Sequence, residues 1–174
     1  YIGKHHDHVV ALSASSCEFF WDAKNTTGSP LSIRQDLYYS IGCTDGSSVY
    51  EDGDRMFWIG TDDRGMLSVY TLTNFGISKI STPTLASFLT QAIVKDGYTA
   101  YASGLSSMGR LFYILTLTLT STDLVPYISL VWDDRAQTWG EWTTGINSNS
   151  YFPIVGSTTR QGVTERYTEA IFAN

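Results

Sequence analysis

Leu130-Val-Trp-Asp-Asp-Arg-Ala-Gln-Thr-Trp139 decides the fold, because ten residues hold an apolar strand, an acidic turn and the start of a second strand. Aromatic and β-branched side chains suit a pleated, half-buried surface. Consecutive Asp residues end such a run, since their carboxylates accept backbone N–H groups two residues on. The arrangement occurs twice more, in Phe19-Phe-Trp-Asp-Ala-Lys-Asn25 and in Phe57-Trp-Ile-Gly-Thr-Asp-Asp-Arg-Gly65. The triplet Asp-Asp-Arg recurs at 62–64 and 133–135, followed each time by another strand pattern, Met66–Leu72 and Thr138–Thr143. Such recurrence marks repeated supersecondary units.

Working outward, period-2 alternation predicts strands at Val9–Ser13, Cys17–Trp21, Leu37–Ile41, Ser48–Tyr50, Arg55–Ile59 and Ile77–Ile80. More follow at Tyr98–Ala102, Leu111–Leu119, Pro126–Trp132, Tyr151–Val155, Val163–Tyr167 and Glu169–Phe172. Asp-Gly, Gly-Asp and Asp-Arg-Gly steps between them suit tight hairpins, and Ala23–Pro30 is too rich in turn formers to be strand. Gly104-Leu-Ser-Ser-Met-Gly109 reads as a turn between strands. One segment differs. Ser81 or Thr82 can cap, and Pro83 opens, a helix over about 82–94, with Leu85, Phe88, Leu89, Ala92 and Ile93 on one face and Asp96-Gly97 closing it. A lone helix among sheets covers an open sheet edge or docks on a neighbouring subunit.

The expected fold class is therefore all-β: antiparallel multi-strand blades, a β-propeller or part of one, with one inserted short helix. Four strands per unit give about two full blades plus parts of two others in a single propeller-like domain or fragment over 1–174. The absence of Met before Tyr1 fits a processed or excerpted chain, and a full propeller is expected to continue beyond it.

Composition narrows the function. Of 174 residues, 43% are hydrophobic and 16% charged, which suffices for a core and is too little charge for disorder. The formal net charge is −6 and the few Lys and Arg are scattered, so no basic stripe exists to neutralise phosphates. Specific nucleic-acid binding is not expected. No apolar run nears the roughly 18 residues that span a bilayer, and no basic segment followed by an apolar one opens the chain as a secretory signal. No cofactor motif is present: neither a phosphate loop, a dinucleotide fingerprint nor a nucleophile elbow.

Three constellations could carry chemistry. His5-His6-Asp7-His8 is the one concentrated set of metal-competent ligands, and on a continuous strand only His6 and His8 would share a face. Zinc needs further ligands at recognisable spacing, and none is found, so the cluster reads as the polar start of a strand or an inter-subunit contact. The Asp pairs 62–63 and 133–134 invite a two-carboxylate hydrolase. Recurrence in successive units favours structural turn fasteners instead, namely Asp22, Asp63, Asp133 and Asp134, because a catalytic pair should occur once. Trp58, Trp132, Trp139 and Trp142 are candidate platforms for a glycan or a protein partner. Cys17 and Cys43, without any CxxC pair, are small buried hydrophobes or a disulfide.

Asp134-Arg-Ala-Gln-Thr-Trp139 resembles part of the Asp-box of sialidase-like propellers, with Trp132 where Ser is expected and Ala136 where Gly is expected. That box is a turn fastener away from the active centre, so it implies a propeller and not glycoside cleavage. The runner-up function is accordingly a carbohydrate-binding or carbohydrate-active propeller recognising a cell-surface glycan.

The order of several motifs resembles another family more fully. Cys17-Glu-Phe-Phe-Trp-Asp22, Ile41-Gly-Cys43, Ser48-Val-Tyr50, Asp54-Arg-Met-Phe-Trp-Ile-Gly60, Asp63-Arg-Gly65, Val69-Tyr70 and Lys79-Ile-Ser-Thr-Pro83 with its helix come in sequence. Arg110-Leu-Phe-Tyr-Ile-Leu-Thr-Leu117, Val131-Trp-Asp133 and Trp139-Gly-Glu-Trp142 complete the series from Val9 to Ile171. This resembles the β-propeller tail proteins of short-tailed bacteriophages: tail hubs, tail nozzles and packaged-DNA stabilisation proteins. One departure is Arg110 after Met108-Gly109, where a small polar residue or His is expected. The resemblance implies a structural, non-enzymatic virion component of the tail, assembled in the bacterial host cytoplasm. It also implies homo-oligomeric rings, often hexamers, that contact other tail or portal-adaptor proteins, retain the genome and let DNA pass.

Overall fold

A computed structural model of the chain describes residues 1–61, 64–119 and 126–142. The chain divides into two compact units, Tyr1–Gln91 and Ala92–Asn174. The expected strands after Thr143 lie outside the described residues.

The first unit begins with four antiparallel strands, β1 (Ile2–His5), β2 (His8–Leu12), β3 (Cys17–Asp22) and β4 (Leu31–Tyr39), paired in chain order. A second four-stranded meander follows, of β5 (Tyr50–Asp52), β6 (Arg55–Thr61), β7 (Leu67–Thr73) and β8 (Gly76–Lys79). The second unit holds a third, of β9 (Tyr98–Ser107), β10 (Arg110–Leu119), β11 (Pro126–Asp133) and β12 (Thr138–Glu141). The fold is thus all-β, built of antiparallel four-stranded blades with one inserted helix.

Several strands differ from their sequence patterns. Ile2-Gly-Lys-His5 lacks alternation, yet it pairs with β2 from Ile2↔Ala11 to His5↔His8 and completes the first sheet as an edge strand. Ser48 belongs to a 3-10 turn, Gly46–Ser48, capped where Asp45 Oδ1 accepts the Ser47 N–H at 2.9 Å. The strand therefore begins only at Tyr50. The expected turn at Gly104–Gly109 shrinks to Met108-Gly109, and Gly104–Ser107 extend β9. Met108 and Gly109 both have positive φ (50° and 70°), the two-residue hairpin geometry whose twist matches the flanking strands. Strand β4 starts six residues earlier than its pattern, because its register with β3 jumps from Glu18↔Tyr38 to Phe20↔Ile33. The chain opposite Phe19 bulges, which hides the alternation.

The core of the first unit lies between its two sheets. Val10, Leu12, Cys17 and Phe19 share one face of the first sheet and pack with Met56, Trp58, Tyr70 and Leu72 of the second. Burying side chains of this size stabilises the fold by roughly 1.5–3 kcal/mol each. The connection between the sheets passes through this seam. Cys43 N–H donates to Ser13 O (2.8 Å) and Thr44 N–H to Ile59 O (2.9 Å). The fit is close enough to require glycine at two positions: a Cβ on Gly42 would lie 2.0 Å from Ala14 O, and one on Gly60 would lie 2.3 Å from Gly42 O.

Central strands are buried on both faces, over Met56–Gly60 in β6 and over Tyr113–Thr118 in β10. A sheet with one wet face would alternate instead. The helix α1 (Pro83–Leu89) has Pro83 at its start, and the hydroxyl of its N-cap Thr82 accepts the Leu85 N–H at 3.2 Å. It continues as a π-helical turn, Thr90–Lys95, before Gly97 at φ 75°. The segment closes an open edge. Since β8 pairs only with Tyr70–Thr73, the start of β7 needs other partners. Ser81 Oγ accepts the Val69 N–H (3.1 Å), Ile80 N–H donates to Val69 O (2.9 Å), and Thr90 Oγ1 accepts the Leu67 N–H (3.2 Å).

Candidate functional site

The acidic turns come first. Asp22 ends β3, and its Oδ1 accepts the Lys24 N–H at 2.9 Å. Asp133 occupies the same place at the end of β11, with Oδ1 accepting the N–H groups of Arg135 and Ala136, both at 3.0 Å. The other oxygen of Asp133 pairs with Arg110 Nη2 at 3.1 Å. Arg110, the departure from the family pattern, thus tethers the start of β10 to the turn after β11. Asp134 works through its backbone, donating to Leu111 O at 3.0 Å and accepting the Gln137 amide at 2.5 Å. Asp62 and Asp63, of the third copy of the pattern, lie outside the described residues.

The four tryptophans have different surroundings. Trp58 is fully buried, stacks on Tyr70 with centroids 6.1 Å apart, and donates Nε1–H to Gly42 O at 3.2 Å. Its faces are covered by the core and present nothing to a sugar. Trp132 is also buried, and its Nε1–H has no hydrogen-bond partner among the described residues. Trp139 and Trp142 are half-buried, Trp139 against Trp132 and Trp142 against Phe112, at 5.5 and 5.4 Å. Trp21, which stands in β3 where Trp132 stands in β11, is the tryptophan that opens to solvent (43% exposed).

The histidine cluster becomes a junction between the first two sheets. A tight turn at His6-Asp7, with His6 at φ 53°, sets His5 and His8 opposite each other across the hairpin, both buried. The pair sharing a face is therefore His5 and His8, not His6 and His8, because the strand pattern is interrupted between them. Against them sits Phe75, at the tip of the β7–β8 hairpin. Asn74 and Phe75 both have positive φ (49° and 64°), uncommon for so bulky a residue as Phe. The Phe75 ring lies 5.0 Å from His5, 5.0 Å from His8, 5.2 Å from His6 and 5.7 Å from Phe19. Its N–H donates to His5 Nε2 at 3.3 Å, and its carbonyl accepts from Tyr39 Oη at 2.6 Å. The β4 bulge aims Arg34 at His8 Nε2 (3.0 Å) while Asp36 grips the same guanidinium at 2.9 and 2.7 Å. That pairing holds the Asp36 carboxyl down to about 2. Sequence patterns miss Phe75, Tyr39 and Arg34 as members of this group; the one local signal is a Phe following Asn in a two-residue turn.

Among the described residues no three His, Cys, Asp or Glu side chains are grouped to hold a metal ion. Cys17 and Cys43 are both buried as free thiols in the first unit's core. Burial, helped by Glu18, pushes the Cys17 thiol up to about 12, and burial also raises that of Cys43. No described helix is long and apolar enough to cross a membrane.

Comparison with known proteins then fixes the class. No curated protein matches the chain. The profile of the phage stabilisation family, described as bacteriophage P22 Gp10, beta-propeller, matches residues 2–163. The first and third sheets carry the motifs Cys17–Asp22, Arg110–Leu117 and Val131–Asp133, and the match covers most of the chain: it belongs to the bacteriophage P22 Gp10 β-propeller family of phage stabilisation proteins, structural components of the virion.

Proposed function

We propose that the chain forms part of a ring of identical subunits, sixfold in symmetry, in the tail of a short-tailed phage. There it contacts other tail or portal-adaptor proteins, helps retain the packaged genome and then lets DNA pass. The family match over residues 2–163 is the observation that carries this reading. The chain contributes one propeller-like domain or a fragment of one, acting as a scaffold without catalysis. Central strands buried on both faces give a stiff support, and the turns at the blade ends supply contact surface. Asp22, Asp63, Asp133 and Asp134 serve as turn fasteners, and the half-exposed Trp139 and Trp142 serve as partner contacts. The net charge of −6 suits a channel wall that repels phosphates, so DNA slides without sticking. Assembly takes place in the host cytoplasm before lysis.

Deleting the coding sequence tests the role. Particles made without the protein should package DNA and then lose it, giving empty heads, and purified protein added before the loss should keep them full. Full heads of normal infectivity would overturn the proposal.

A further inference from the structure

The junction around Phe75 uses the Nε2 atoms of its two buried imidazoles as hydrogen-bond acceptors. His5 Nε2 faces the Phe75 N–H, so it is an acceptor and carries no hydrogen. His8 Nε2 faces Arg34 Nη1, and a guanidinium only donates. That nitrogen is therefore an acceptor too, and the His8 hydrogen sits on Nδ1, 2.6 Å from Asp7 Oδ1. The two contacts reach opposite ways, one to the second sheet and one to the β4 bulge.

We propose that this junction is an acid-sensitive latch, in which protonation of His5 releases the Phe75 hairpin tip and loosens the first sheet from the second. The His5 ring takes one proton from solvent on Nε2. Its new N–H then meets the Phe75 N–H, so that contact turns from attraction to repulsion. The groups facing the latch come from every side. His6 and Asp7 belong to the same hairpin, with the His6 ring 4.5 Å from His5. Arg34 and Asp36 come from β4, and Tyr39 from its end holds the Phe75 carbonyl. Asp54, between β5 and β6, is the carboxylate that favours a charged His5. It is outweighed, since burial first and His6 next lower the His5 pKa from the ordinary 6.5. The folded latch thus binds fewer protons than the unfolded chain between those two values. Its stability is present above 6.5 and declines as pH falls through 6.5 toward the lowered value.

The test is amide hydrogen exchange at Phe75 in the whole chain, corrected for the intrinsic pH dependence of exchange and followed from about pH 7.5 to about pH 5. Protection should fall at least about tenfold, while Val69, buried in β7 with its N–H on Ser81 Oγ, falls far less. A His5→Gln variant keeps an acceptor there and cannot titrate, so its protection at Phe75 should change less than about twofold. Imidazole NMR shifts of the unsubstituted chain supply a second arm that does not depend on the variant folding: the His5 titration and the loss of protection should share a midpoint. Flat protection at Phe75, an equal fall in the folded variant, or midpoints well apart would each overturn the latch.

Discussion

Tyr39, at the end of β4 in the first sheet, donates its phenol hydrogen to the carbonyl of Phe75, 2.6 Å away at the tip of a hairpin of the second. The bond joins two sheets and satisfies a carbonyl that the turn leaves without a strand partner. Tyr39→Phe keeps the ring, and with it the edge contact to Phe19 at 6.3 Å, while removing only the hydrogen bond. The expected cost is about 1–2 kcal/mol in urea unfolding at neutral pH. An unchanged midpoint would show that the junction contributes nothing to holding the sheets together.

The two buried tryptophans should respond differently to the same change. Trp58→Phe leaves the Gly42 carbonyl without its donor inside the seam and opens a cavity, so a loss of about 2–4 kcal/mol is expected. Trp132→Phe removes an N–H that has no partner among the described residues, which offsets part of the cavity cost. Thermal melts of the two variants should therefore rank Trp132→Phe as the milder. The reverse order would contradict the assigned contacts.

Removal of a turn fastener should depend on how many groups it holds. Asp133 accepts two N–H groups and pairs with Arg110, and its side chain is 17% exposed. Asp133→Ala is expected to cost about 1–2 kcal/mol. Asp22 accepts a single N–H in an exposed turn, so Asp22→Ala should cost about half as much or less. Equal effects in chemical unfolding would mean that the Arg110 pair and the second N–H bond are idle.

Thiol chemistry provides a pH test of the core. A thiol reacts as its thiolate, and burial disfavours the charged form, which is why Cys17 is held up to about 12 and Cys43 is raised as well. The native chain at about pH 8 should react with an aromatic disulfide reagent only as fast as it unfolds, and urea should release both thiols together. Rapid labelling of the folded chain would place the cysteines outside the seam.

Much of the architecture is legible in the sequence, and the exceptions have physical causes. Arg55–Ile59 and Leu111–Leu119 announce themselves because central strands are dense in β-formers, and Pro83 after two hydroxyl residues names a helix start. Ile2–His5 stays silent because an edge strand with Gly3 and Lys4 needs no alternation when the next strand supplies the pairing. The β4 bulge hides a strand whose residues 34–36 turn outward to form an ion pair. For the candidate residues, the carboxylates of Asp22 and Asp133 can be located from the turn alone, since an Asx contact is local. Whether a tryptophan is platform or core is decided by a neighbouring sheet, which no local pattern contains. The His5–Phe75 contact spans 70 positions and depends on a turn that separates His5 from His8.

Mass spectrometry and electron imaging of purified phage particles bearing a tag on this chain test the central claim most directly. A structural tail propeller predicts the chain in mature virions at a fixed copy number, with tag density in a ring of identical subunits on the tail below the portal. A chain absent from particles and recovered as a free monomer that cleaves or binds glycans would contradict it.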